Sequence, residues 1–194
     1  MNETLPETAV LSLREIYSDR PDARLDRVRP GDAERLNARI RGASPNSIVV
    51  FDLHGLQYLG YSFSKHTLRK ALKARNDGAF GERRIMMVTE MDEVFLEGLN
   101  DALEQGHILV YVAPNMESLG STGTLIGAKS EPLRETFQVL LAQAPVSTGT
   151  VANALHITPQ NAKNRLDRLA NMGLIVREKV ASETGGHEWI NSVL

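Results

Sequence analysis

Three short apolar runs punctuate the first half of the chain: SIVVFDL (Ser47–Leu53), RRIMMVT (Arg83–Thr89) and HILVYVA (His107–Ala113). None alternates polar with apolar residues, so each predicts a strand covered on both faces. Between the runs the spacing becomes helical. Ser62–Arg75 carries Phe63, Leu68 and Leu72 at helical spacing, and the DEVFLEGLNDAL segment places Val94, Leu99 and Leu103 at helical offsets. Upstream, TAVLSLREI (Thr8–Ile16) reads as a first strand, and GDAERLNARI after Pro30 as a helix with Ala33, Leu36 and Ile40 on one side. Strands alternating with helices predict a small α/β layer with a largely parallel sheet, because each return over a helix leaves neighbouring strands pointing the same way.

The pattern stops after Pro114. PNMESLGSTGTLIGAKSEP is rich in Gly, Ser and Thr, and residues 115–129 are expected as a linker or a small hairpin between a domain at 1–114 and another at 130–194. These glycines lack the Gly-Lys-Ser/Thr ending of a phosphate loop. Ser130 is expected to cap a helix with Leu133, Phe137, Leu140 and Leu141 on one face. STGTVANAL then makes a short helix and HIT a turn, and Thr158 followed by Pro159 starts another helix. On that helix Ala162, Leu166 and Leu169 face inward, leaving Gln160, Asn161, Lys163, Asn164 and Arg168 outside. GLIVREKV and HEWI, joined by ASETGG, read as two strands with a Gly-Gly turn.

Composition narrows the partners. Apolar residues at 42% and charged residues at 24% are globular values, and a net charge of −2 argues against coating nucleic acid by bulk charge. Any DNA site must be local. With no cysteine there is neither a disulfide framework nor a thiolate metal site. The amino terminus lacks the basic start and apolar stretch of a signal peptide, and no apolar run is long enough to span a bilayer, so a soluble cytoplasmic protein is expected. Eight arginines between Arg14 and Arg41 are interleaved with acids, as on a solvated face. His66, His107, His156 and His187 fall on different elements with no metal-ligand spacing, and Glu90 and Asp92 read as helix-start acids. No metal and no cofactor is expected.

TVANALHITPQNAKNRLDRLANMGLI, within Ser130 to roughly Ile190, resembles the winged helix-turn-helix domain of many bacterial regulators. Ala152 stands at the family's small-residue position, His156 where glycine is frequent, and Ala162 in place of a larger aliphatic. The resemblance implies double-stranded DNA as partner, a homodimer, and contacts from Thr158, Gln160, Asn161, Lys163, Asn164, Arg165, Arg168, Arg177 and Lys179. IVVFDLHGLQYLGYSFSKHTLRKAL, within Ile48–Ala113, resembles the STAS and STAS-like pattern. That family implies a partner-binding domain switched at the helix start, here Tyr61, Ser62 and Ser64. Helix capping is the plainer reading of Ser62 and Ser64.

Together these readings predict an α/β fold in which a small STAS-like domain precedes a winged helix-turn-helix domain. The function expected is a DNA-binding transcriptional regulator that is not an enzyme, its first domain sensing a partner or signal. A signalling adaptor whose winged helix touches only protein stands beside it, because the region from Ser130 to Leu194 holds six basic and six acidic residues. A nuclease is a third reading. DLHG (Asp52–Gly55) resembles the opening motif of Smr nucleases, but the second His-Gly segment of that family is missing.

Overall fold

A computed structural model describes residues 7–90, 92–181 and 187–193. The chain is mixed α/β, built on a five-stranded, mostly parallel sheet in the order β1-β3-β5-β6-β7. The strands are β1 (Thr8–Ser12), β3 (Ile48–Asp52), β5 (Arg84–Val88) and β6 (Leu109–Ala113), all parallel, and β7 (Thr124–Gly127), antiparallel to β6. Two short strands, β2 (Arg24–Leu25) and β4 (Tyr58–Leu59), pair in parallel beside it.

The unbroken apolar runs have their expected consequence. Val49, Phe51, Ile85, Met87, Val110 and Val112 point to one face, and Ile48, Val50, Met86, Val88, Leu109, Tyr111 and Ala113 to the other, and every one is buried. Each crossover moves one place in the same direction, so right-handed connections put all their helices on one side. That side carries α1 (Leu13–Ile16), α2 (Asp32–Gly42), α3 (Tyr61–Phe63) running through a π-helical turn, Ser64–Leu68, into α4 (Arg69–Asn76), and α5 (Glu93–Gln105). The remaining chain covers the other face. There α6 (Glu131–Gln143) lays Leu133, Phe137 and Leu140 on the sheet, followed by β8 (Val146–Ser147), α7 (Thr148–Ala154), α8 (Pro159–Asn171) and the pair β9 (Val176–Ala181) and β10 (His187–Ser192). β10 lies between β8 and β9.

Several local expectations change. Thr8–Ile16 is not one strand: Ser12 Oγ accepts from Glu15 N at 3.3 Å and turns the last four residues into α1. Val94 is 80% exposed, and Leu96, Leu99 and Leu103 make the inner stripe of α5. Ser130 occupies the cap position of α6 without a side-chain cap bond. Within the expected linker, Leu125 and Ile126 are buried in β7. Gly127 closes that strand at φ +101°, where a Cβ would lie 2.1 Å from Ile108 O, so only glycine fits. The turn expected between the last two strands, residues 182–186, lies outside the described residues, as do 1–6 of the amino-terminal stretch.

Two buried cations make internal ties, one to a loop and one between a helix and the sheet. Arg20 pairs with Asp32, both side chains almost fully buried, while Asp32 Oδ2 accepts from Arg29 N at 2.7 Å and Asp32 O from Tyr17 OH at 2.8 Å. Arg75 has no carboxylate partner among the described residues. It donates to Ile85 O at 3.1 Å and Asn76 Oδ1 at 2.7 Å, and burial pushes its pKa down to about 10.

Asp32→Ala strands the buried Arg20 guanidinium and is expected to cost about 3–5 kcal/mol in denaturant unfolding. Because one apolar cluster joins the sheet to α6, α7 and α8, the fluorescence of Trp189, the sole tryptophan, should follow the same unfolding transition as far-UV circular dichroism. Two separated midpoints would show that the two faces melt independently.

Candidate nucleic-acid interface

α8 starts where Thr158 Oγ1 accepts from Asn161 N at 3.2 Å and Pro159 takes the first helical position. Burial of Ala162, Leu166 and Leu169 rotates Gln160, Asn161, Lys163, Asn164 and Arg168 to the exposed side. α7 precedes it, with Ser147 Oγ accepting from Thr150 N at 3.1 Å. The turn between the helices passes through His156 at φ 52°, a left-handed conformation that costs a residue with a Cβ about 1–2 kcal/mol.

On the outer side Gln160 Nε2 donates to Asn164 Oδ1 at 2.9 Å. This bond fixes two amides one turn apart. It leaves Gln160 Oε1 as an acceptor and Asn164 Nδ2 as a donor, neither partnered among the described residues.

The cations behave differently. Lys163 Nζ donates to Asp167 Oδ2 at 2.7 Å, and Asp167 Oδ1 accepts from Arg177 Nη1. The Lys163 hydrogen bond, with the charges of Arg177 and Lys163, holds the Asp167 carboxyl below the usual carboxylate range despite some desolvation. Arg177 is an internal tie: its side chain is only 9% exposed, Nε donates to Asn191 Oδ1 at 2.8 Å, and the guanidinium lies 5.0 Å from the Trp189 ring centroid. Arg165 turns toward α6, where Nη1 donates to Pro132 O at 3.1 Å and pairs with Glu135 at 3.4 Å. Of the expected contact set, then, Arg165 and Arg177 are committed to the protein's own packing. Lys163 is shared with an acid, and Arg168 and Lys179 are exposed without an ion pair to a described acid.

A groove of about 300 Å³ runs between the starts of α7 and α8 and strand β10, lined among others by Ser147, Gly149, Gln160, Lys163, Glu188 and Trp189. Sequence reasoning passed over Trp189, whose single aromatic ring gave no periodic signal. It is 42% exposed.

The helix-start residues of the first half are less open. Ser64 is fully buried, and its Oγ has no hydrogen-bond partner among the described residues. Ser62 is half-buried, and the Tyr61 hydroxyl donates to Gln105 Oε1 on α5. α5 crosses closely here: a Cβ on Gly98 would sit 2.9 Å from Tyr61 N. Asp92 caps α5 as expected, accepting from Val94 N at 2.9 Å.

Asp52 and His54 lie at the end of β3. Asp52 Oδ1 is 2.7 Å from His54 Nδ1, and His54 Nε2 is 3.1 Å from Pro114 O, so the ring bridges the ends of β3 and β6. Among the described residues no group of three or more His, Asp or Glu side chains is placed to hold a metal ion. No helix among them is long and apolar enough to cross a membrane.

Comparison of the chain with models of known protein families, with curated proteins and with solved structures returned no match.

Proposed function

We propose that residues 130–193 are a winged helix-turn-helix unit that reads double-stranded DNA, and that the STAS-like α/β unit before it receives the signal that controls reading. The order helix, strand, two helices and a strand pair, with β10 between β8 and β9, supports the first half of this reading. The outward pair Gln160 and Asn164 carries it. Each is an amide, the group whose oxygen and N–H complement adenine N6 and N7 in the major groove.

The reading is of an unusual electrostatic kind. With Arg165 and Arg177 engaged internally, Lys163, Arg168 and Lys179 are left to meet phosphates, so specificity rests on base edges more than on charge. A second reading has its own support. Asp167 and Glu135 pair with three of the five basic side chains of the expected contact set, and Glu188 lines the groove, which suits an adaptor docking on protein.

The two part in a binding titration against genomic fragments from the protein's own neighbourhood. For the DNA reader, log K should fall with log salt with a slope of about −2 to −3. Asn164→Ala should cost about 1–3 kcal/mol on the preferred site and little on random DNA, and Arg168→Ala should reduce the slope by about one. If neither substitution changes affinity at low salt, the adaptor reading stands.

A further inference from the structure

The helix layer carries opposite charge at its two ends. Residues 14–77 hold thirteen Lys and Arg against eight Asp and Glu, whereas residues 82–117 hold two against eight. On α5 the exposed Glu93, Glu97 and Asp101 stand one turn apart in a row, and none pairs with a cation among the described residues. Like charges at that spacing repel one another and weaken the helix. Beside them Val94 is 80% exposed. Here α5 and β7 enclose a groove of about 650 Å³, walled by Val94, Leu96, Leu125 and Ile126, with Glu93 and Glu97 on the α5 side and Arg134 on the α6 side.

Side chains hold both ends of the outer edge of β7. Gly127 N donates to Asn100 Oδ1 at 2.9 Å, Arg134 Nη2 donates to Gly127 O at 3.0 Å, and Gln138 Nε2 donates to Gly123 O at 3.2 Å. An edge bonded at both ends leaves little length for an added strand, so side chains suit the groove better.

The loop before α2 has the complementary form. Val28, 39% exposed, is flanked by Arg27 and Arg29, with Arg24 nearby. Arg29 pairs with Asp19 at 3.3 Å, Arg24 lies over the Tyr58 ring, and Asp26 accepts from Arg27 N at 2.8 Å. The Arg27 guanidinium meets no acid among the described residues. An apolar knob between arginines and an apolar groove rimmed by glutamates thus sit on one chain.

We propose that the chain forms a two-fold homodimer through this layer, each copy seating its Val28 loop in the α5–β7 groove of the other, with Arg27 against Glu93 and Glu97. The occupant is a second copy because both halves of the contact belong to the same sequence. A two-fold arrangement uses each half twice and closes, whereas one-way docking would grow a chain. Arg134 is held by carbonyls at the α6 side, so the incoming arginines meet the glutamates from the α5 side. The inference does not depend on whether α8 contacts DNA.

Light scattering coupled to size exclusion tests it on the full chain. A mass of twice 21.4 kDa at low salt is expected, falling toward one protomer as salt rises. Glu97→Arg and Arg27→Glu should each raise the dimer dissociation constant at least about tenfold, and the double variant should recover most of the loss. Both are surface changes, and circular dichroism would check the fold. A monomer at every concentration, an open series of larger species, or a dimer indifferent to both reversals would overturn the proposal, as would a double variant no tighter than the singles.

Discussion

A parallel sheet that is apolar on both sides has to be covered on both sides, and most of this architecture follows from that. Five strands in nearly sequential order send every crossover helix to one face, so α1 to α5 leave the other face bare. Burying an aliphatic side chain is worth about 1.5–3 kcal/mol, and Val50, Met86, Val88 and Leu109 are four of those waiting for cover. The C-terminal helices supply it. They are therefore not an appendage on a tether: Phe137 and Leu140 pack in the same cluster as Tyr111, with the Tyr111 and Phe137 ring centroids 5.2 Å apart. Apolar packing is therefore continuous from the second face of the sheet to Leu166 and Leu169 of α8.

The same integration shapes the charge of the outer face. Asp167 is the junction: it pairs with Lys163 on its own helix and joins α8 to the strand pair through Arg177, and Asn191 and Trp189 complete the tie. Positive charge spent on fixing the hairpin to the helix is not available to a polyanion. What remains outside mixes the amides of Gln160, Asn161 and Asn164 with the three cations Lys163, Arg168 and Lys179.

Local periodicity carried much of this into the sequence. The three core strands were legible because unbroken apolar runs are rare outside buried sheets, and α2, α5, α6 and α8 because their inner residues recur every three or four positions. Thr158 and Pro159 marked the start of α8 through capping chemistry that needs no tertiary context. Between the linker and hairpin alternatives for 115–129 the pattern could not choose, because the four residues of β7, Thr124–Gly127, are too short to show a period, and the glycines that permit its tight fit against Ile108 and Val112 look like linker. Val94 was misplaced because helical offsets fix a face but not which of two adjacent stripes turns inward. The internal pairing of Arg165 and Arg177 is invisible to local pattern because their partners, Glu135 and Asp167, lie thirty and ten residues away.

The position of β10 has a consequence for synthesis. It is the last strand described, yet it lies between β8 and β9, so the small sheet cannot close until that strand has left the ribosome. By then the helix-covered side of the large sheet has had its full complement of residues since Gly127. At ordinary elongation rates the intervening residues take roughly 3 to 13 s. Until α6 and the elements after it follow, the second face is uncovered hydrocarbon, a surface that invites aggregation or a chaperone.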